Sequence, residues 1–408
     1  MINTVHLTTI SNQGGIFLDK YTLERERRFS LMNTLMDREN LDALVFTSSA
    51  VQTDEVAIKY LTNTGLLARR AFAFFKKNEI PYFILATQDE YVNAKSTSWI
   101  PYDHILLGDP VKEAVQMVTS LGSGKRVGIY EPNSLPILIH NELFQADAEF
   151  VDITAPMTVL RAPKSSFEID LIQQASDLAV HSMDYILEHI RPGITERELL
   201  AGADGYLIAN GAQELLVMCV SEGQHSFIHK PKNVAVKDDG VLVYSCEFSG
   251  SGGYWTQLAR AIFMKRGCEP EVYQLYQAAK AAIQRGAELL RPGNRVCDIN
   301  NAVLGYIKAA GYSAGHWAGH AMGADLGDGM PITSECQVEI RENMVFTLHP
   351  NVVSGEKGIF YGDTYLVTSN GAINLTAAYN ESPYLEDMLQ ELSNRKQMQE
   401  PNKSTDKR

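Results

Sequence analysis

The stretch VLVYSCEFSGSGGYWTQLAR, residues 241–260, decides the fold of the second half of the chain. Two mostly apolar arms flank the segment Ser249–Gly253, which holds only glycine and serine. Apolar runs joined by a Gly/Ser turn are typical of a β-hairpin. The turn leads into another strand, over Tyr254–Phe263, and opens no helix, so it is not predicted to cradle a phosphate. We therefore predict a hairpin here.

Histidines collect around and after this hairpin. They are His225, His229, His316, His320 and His349, and the other five are scattered singly through the first 189 residues. Imidazole gains and loses a proton near neutral pH, which suits it to acid–base catalysis. A single histidine is more often structural, but this clustering predicts that any chemistry belongs to the C-terminal half.

Composition predicts a globular chain of two domains. The 408 residues are 45% hydrophobic and 21% charged, and the formal charge of −13 argues against nucleic acid or an anionic membrane as partner. No apolar run has the length of a transmembrane helix, and Met1–Lys20 lacks the pattern of an export signal. Five cysteines, an odd number, fit free thiols in a reducing compartment, so we predict a cytoplasmic protein.

The order of elements divides the chain. Strand-like runs alternate with helical stretches over residues 1–160, which predicts an α/β domain followed by a linker over 160–164. A long helix, Ser166–His189, opens a second, α+β domain over residues 161–390. Residues 391–408 are largely polar and charged, which is typical of a disordered tail.

Several motifs occur in a recognisable order. They are Gly253-Tyr254 with Arg260, Gly319-His320 followed by Gly323, Glu342–Thr347 running into Pro350, and Gly358–Thr368. Upstream, His229 precedes Pro231 and lies eleven residues before Gly240. This pattern resembles the creatinase, prolidase and methionine aminopeptidase superfamily. The resemblance implies a pita-bread catalytic domain, preceded by the extra domain of creatinase, prolidase and aminopeptidase P, in a homodimer.

The metal site of that superfamily is altered in this sequence. The resemblance implies two metal ions held by two Asp, one His and two Glu, at positions that here hold Cys246, Gln257, His320, His349 and Gly362. Two adjacent divalent ions need bridging carboxylates, so a dinuclear metallopeptidase is not expected. Glu247 is expected to point away from the site, because successive strand residues face opposite sides of a sheet.

The resemblance instead implies a histidine site. His229, His320 and His349 are expected to converge, with His225 close by, and creatinase, which lacks the metals, uses a histidine at the position of His229 as general acid/base. The loss of two glutamates removes negative charge and favours a small anionic substrate over creatine. Substrate contacts are assigned to Cys246, Gln257, Tyr254, Arg260, Arg69 and Arg70.

Three functions remain open at this point. The first is a metal-independent hydrolase of a small molecule, the second a lyase or decarboxylase on a small carboxylic acid, and the third a non-catalytic binding relative. A single Zn or Fe ion at Cys246, His320 and His349 is chemically possible. Cys246 is otherwise typical of a buried packing residue, and Arg69-Arg70 of a solvated pair at the start of a strand. The concentration of histidines favours an enzyme.

Overall fold

A computed structural model describes residues 19–49, 56–221 and 227–399 of the protein. The chain divides into two compact units, Met1–Arg161 and Ala162–Arg408, each with its own buried core. Within the described ranges, none of the helices combines the length and the apolar character needed to cross a membrane.

The first unit is an α/β layer structure, as predicted. Its mixed six-stranded sheet has the order β4-β3-β2-β1-β5-β6, with β1 antiparallel to β2 and parallel to β5. The strands are Ala43–Ser48 (β1), Ala71–Lys76 (β2), Tyr82–Leu85 (β3), Ile105–Leu107 (β4), Lys125–Ile129 (β5) and Ala148–Asp152 (β6). The helices are Lys20–Glu39 (α1), Val56–Thr62 (α2), Gln88–Thr97 (α3), Pro110–Ser120 (α4), Ile137–Leu143 (α5) and Thr154–Arg161 (α6).

The second unit combines three small antiparallel sheets with long helices. The sheets have the orders β7-β8-β9, β11-β12-β15-β16 and β10-β13-β14. The helices are Ser166–His189 (α7), Glu196–Ala209 (α8), Pro270–Ala287 (α9), Val296–Ala309 (α10) and Leu385–Gln399 (α11). The strands are Glu214–Val220 (β7), Val241–Ser249 (β8), Trp255–Phe263 (β9), Ser313–Ala314 (β10), Gly319–Ala321 (β11), Val345–Leu348 (β12), Asn351–Ser354 (β13), Lys357–Phe360 (β14), Asp363–Thr368 (β15) and Gly371–Asn374 (β16).

The predicted hairpin is confirmed, and it lies at the centre of this unit. Every residue of β8 and β9 is buried, because helices cover one face of the sheet and the other sheets lie on the opposite face. Tyr244 and Cys246 pack with residues of α7 and α8, whereas Val241 and Val243 pack with residues of α9 and α10. The alternation follows from the two-residue period of a strand.

Two segments predicted to lack regular structure are helical. Residues 160 and 161 of the predicted linker complete α6, and residues 391–399 of the predicted tail belong to α11. The tail prediction rested on polar composition, but Leu392 is buried, Glu391 accepts the Tyr379 backbone N–H at 2.9 Å, and Lys396 pairs with Glu188 of α7. Polar side chains thus find partners here; residues 400–408 lie outside the described ranges.

Candidate active site

A cavity of about 550 Å³ opens in the second unit. Its walls are largely apolar, and its polar side chains come from β8, β9, β11, β13 and the segments that precede β11 and β13. The lining residues that carry the argument are Glu247, Gln257, His316, His320, His349 and Asn351, with Phe227, Trp317 and Phe360 among the apolar ones. This volume lies within the range of small-molecule sites, about 300–1,000 Å³.

The hairpin brings Glu247 and Gln257 into the cavity together. These residues pair directly across β8 and β9, so their side chains share one face of the sheet. The family resemblance predicted that Cys246 would face the cavity and that Glu247 would point to the opposite face of the sheet. Both predictions are wrong. Successive residues of a strand face opposite sides of the sheet, so an error of one residue in register exchanges the two faces.

Cys246 occupies the helix-facing side instead. Its Sγ lies 3.4 Å from Ser182 Oγ of α7, and burial raises the pKa of the thiol. A buried, protonated thiol is a poor metal ligand and a poor nucleophile. The structure therefore does not assemble Cys246 with His320 and His349, as a single-metal site on those three residues would require.

His320 forms an ion pair with Glu247. His320 Nε2 lies 3.3 Å from Glu247 Oε1, and both side chains are almost fully buried. The Nδ1–H donates to the Ala321 carbonyl at 2.9 Å, so Nε2 must also carry a proton if it is to face the carboxylate favourably. Burial alone lowers the pKa of His320, but the contact with Glu247 and its negative charge outweigh burial and raise the pKa above its ordinary 6.5.

His349 has the opposite electrostatic character. Its ring centroid lies 4.9 Å from that of His320 and 5.3 Å from that of His316. Burial and the two neighbouring imidazoles lower the pKa of His349 well below 6.5, and neither ring nitrogen hydrogen-bonds to another described residue. Gly362 leaves room for this ring, since a Cβ there would meet the His349 Cβ at 2.9 Å. Two adjacent imidazoles thus prefer different protonation states.

His316 completes the imidazole cluster, although it was not among the predicted site residues. Burial lowers the pKa of His316, and the charge of His320 contributes in the same direction. The sequence carried a signal, because His316 and His320 lie four residues apart in the segment GHWAGH. Periodicity could not show that Trp317 and Ala318 turn the chain so that both rings enter one cavity.

His229, the predicted general acid/base, does not line the cavity. Its backbone pairs with Cys219 on the edge of β7, so its side chain follows Cys219 to the helix-facing side while Ile228 faces the cavity. His229 Nδ1 donates to the Lys230 carbonyl at 2.9 Å and lies 3.9 Å from Glu196 Oε2 of α8. His225 lies outside the described residues.

Of the residues assigned to substrate contacts, Gln257 alone lines the cavity. Tyr254 is buried and donates its hydroxyl to Glu168 Oε1 at 2.8 Å, at the start of α7. Arg260 is fully buried and forms an ion pair with Asp363 at 2.7 Å. Both are therefore part of the protein framework, contrary to the prediction.

Arg69 and Arg70 belong to the first unit, just before β2. The backbone N–H of Arg69 donates to Glu90 Oε1 at 3.1 Å, and Arg70 Nη1 donates to Thr47 Oγ1 at 3.3 Å. Arg69 is exposed, so its side chain is accessible to a ligand. The substrate contacts assigned to these two arginines stay a prediction.

Comparison with known proteins gives a family match within the second unit. The model of metallopeptidase family M24 matches residues 170–369, the region that contains the hairpin and all three cavity histidines. The chain carries an M24 domain. An Xaa-Pro dipeptidase from Pyrococcus horikoshii is 24% identical over 355 residues, which are 85% of this chain and 95% of that protein. Creatinase from a Bacillus species is 23% identical over 424 residues, which are 92% of this chain and 96% of that enzyme.

Solved structures agree on the fold of the M24 chain. Dipeptidase PepE from Mycobacterium ulcerans matches with a TM-score of 0.77 at 19% identity, covering 89% of this chain and 98% of that one. At this level of identity the likeness shows the fold, which is the predicted pita-bread architecture with a preceding α/β domain. Named relatives of the chain include hydrolytic enzymes.

The name of the family raises the question of metal binding. Among the described residues that line the cavity, Glu247 is the one carboxylate, and it already contacts His320, whose pKa is raised. Gly362 offers no side chain, and Gln257 is a neutral and weak ligand. In the ranges that the structure covers, no group of three or more His, Cys, Asp or Glu side chains is arranged to hold a metal ion. These residues do not fit a two-ion centre.

Proposed function

We propose that this M24 protein is a metal-independent hydrolase of a small molecule and that it cleaves a C–N or related bond in the histidine-lined cavity. The carrying observation is that the rings of His320 and His349 are adjacent, with centroids 4.9 Å apart, while the contact with Glu247 raises the pKa of His320 and burial lowers that of His349. Titratable neighbours with pKa values displaced in opposite directions are the usual mark of a general acid and a general base.

The proposed steps need only water and these side chains. Neutral His349 accepts a proton from water as the water oxygen bonds to the substrate carbon. The C–N bond then breaks, and His320 gives its Nε2 proton, which is not hydrogen-bonded to Glu247 Oε1, to the leaving nitrogen. Proton transfer from His349 back to His320, whose ring centroid lies 4.9 Å away, restores the starting state. General acid–base catalysis of this kind contributes roughly 10²–10⁴-fold to a rate.

The substrate that suits this cavity is small and has a large apolar part. Leu216, Met218 and Phe360 line the walls, so an apolar group would be removed from water there. The expected preference for anions stays a prediction, because among the described lining residues His320 is set against the charge of Glu247, and the pKa values of His316 and His349 are lowered. The homodimer implied by the family remains part of this proposal.

A test of the chemistry uses isotopically labelled water. Purified protein would be incubated with a panel of small amides, ureas and carboxylic acids in water enriched in oxygen-18, before and after exhaustive chelation. We expect product carrying one atom of the heavy oxygen and an unchanged rate after chelation. Product with no label and with release of CO₂ would favour the lyase alternative. A rate lost on chelation and restored by a divalent ion would overturn metal independence.

The pH dependence of kcat/KM is a second prediction. His349 must be neutral, and its lowered pKa puts the rising limb of the profile below pH 6.5. His320 must be protonated, and its raised pKa puts the falling limb above pH 6.5. Initial rates measured over pH 4–9 are therefore expected to give a bell-shaped profile of kcat/KM, with one limb on each side of pH 6.5. A rate that continues to rise above neutral pH would contradict the assignment of His320 as the acid.

A further inference from the structure

Gln257 is fixed in the cavity wall by hydrogen bonds to both its backbone and its side chain. The side chain is 1% exposed, and the backbone is clamped from both sides by one hydroxyl of β15. The Gln257 N–H donates to Thr364 Oγ1 at 3.0 Å, and the same hydroxyl donates to the Gln257 carbonyl at 2.9 Å. These two hydrogen bonds fix the backbone of Gln257, and with it the position of the Cβ, in the cavity wall.

Thr347 sets the orientation of the Gln257 amide. Thr347 Oγ1 donates to Gln257 Oε1 at 2.9 Å, while its other acceptor, the Asp363 carbonyl, is farther away at 3.3 Å. The single hydroxyl proton therefore goes to Gln257 Oε1, and the amide nitrogen is turned the other way. Among the described residues, no acceptor takes a hydrogen bond from this nitrogen. A primary amide has two N–H donors, and both remain to be used.

We infer that the Gln257 amide donates to the carbonyl oxygen of the substrate, so that the substrate class is a small carboxamide or related acyl compound. The inference rests on the proposed hydrolysis. When water adds to an acyl carbon, the carbonyl oxygen gains negative charge, and a fixed N–H donor stabilises it. A guanidine or amidine carries no oxygen at the reacting carbon and would leave this donor unused.

The position of Gln257 relative to the acid supports the same class. Gln257 pairs across the hairpin with Glu247, so the donor and the carboxylate that contacts His320 lie on one face of one sheet. A substrate whose carbonyl oxygen lies at Gln257 then occupies the cavity that His320 also lines. The apolar remainder of an amide fits the walls formed by Leu216 and Met218 of β7.

The test compares binding of two probes that differ in the carbonyl group. Acetanilide, a small amide, and propylbenzene, which lacks a carbonyl, would be titrated by NMR into wild-type protein and into Gln257→Met, which keeps the side chain's length. We expect acetanilide to bind the variant about tenfold more weakly, as is usual for one lost hydrogen bond, and propylbenzene to bind both proteins alike. Thr347→Val, which removes the orienting hydroxyl, is expected to show a smaller loss for acetanilide alone.

Other outcomes are equally informative. The matched control is Gln284→Met on the exposed face of α9, which should behave as wild type. Equal losses for both probes, or no acetanilide binding to the wild type, would overturn the carboxamide assignment. Selective acetanilide binding without turnover of any amide would refute hydrolysis and leave the donor role standing. Thermal unfolding of each variant verifies that it is folded.

Discussion

Replacing Glu247 with glutamine is expected to lower kcat/KM at neutral pH by about 10³-fold, within the range for loss of a general acid. The substitution keeps the shape of the side chain and removes the charge that lies 3.3 Å from His320 Nε2. Without that charge, burial governs His320 and lowers its pKa, so the imidazole becomes neutral and has no proton to give. The falling limb of the pH profile should move to lower pH, a shift that a purely structural role of Glu247 would not produce.

The control for this variant is Glu196→Gln. Glu196 is equally buried, but it lies outside the cavity and accepts the Ser221 N–H at 2.7 Å and the Lys232 N–H at 2.9 Å. Its substitution should lower the melting temperature, because one acceptor oxygen becomes a donor, and leave the pH profile of the folded enzyme unchanged. A Glu247→Gln protein that is folded and retains wild-type kcat/KM across the pH range would exclude the acid assigned to His320.

The convergence of His320 and His349 was predictable from the sequence, because both residues belong to motifs that occur in the same order as in the family that the chain resembles. Glu247 was missed for a geometric reason. The side of a strand on which a residue lies depends on the pairing register, and a register error of one residue exchanges Cys246 for Glu247. Turn length fixes that register, and a Gly/Ser-rich turn gives little information about which residues pair across it.

For His229 and Gln257, too, the sequence did not reveal the orientation of the side chain. The motif around His229 was recognised, but its side-chain direction follows from one backbone pairing with Cys219, and composition could not reveal that pairing. Gln257 lines the cavity, yet the orientation of its amide depends on Thr347, ninety positions later in the chain. Local sequence patterns predict strands and helices, whereas contacts between distant segments determine which atoms of a side chain face the cavity.

The prediction of disorder for residues 391–408 rested on their polar composition, but residues 391–399 belong to helix α11. Its polar residues pair with acidic residues of α7, among them Arg395 with Asp184 at 3.9 Å, so the helix is stabilised at its surface as well as by buried Leu392. Low hydrophobicity predicts disorder only when the segment has no partner to dock against. The presence of α7 as partner follows from the tertiary fold and could not be read from residues 391–399.

Replacing Arg260 with methionine is expected to destabilise the second unit by about 3–5 kcal/mol, the usual cost of removing one partner from a buried ion pair. The guanidinium donates to Asp363 Oδ1 at 2.7 Å and to the backbone carbonyls of Gly362 at 3.0 Å and Thr376 at 2.7 Å. Methionine fills much of the space but leaves the Asp363 carboxylate buried without its counter-charge. Thermal unfolding should show a lowering of the melting temperature by roughly 10–15 °C.

Arg266→Met is the matched control, because Arg266 pairs with Asp387 at 2.6 Å in a largely exposed setting. Exposed ion pairs contribute about 0–1 kcal/mol, so this variant should unfold close to the wild type. The two variants separate a framework role of Arg260 from the substrate contact that the motif suggested. If Arg260→Met unfolds like the wild type but loses affinity for substrate, Arg260 binds substrate after all. If stability falls while the affinity of the remaining folded protein is unchanged, this arginine joins β9 to β15 and so keeps Gln257 aligned with the rest of the cavity.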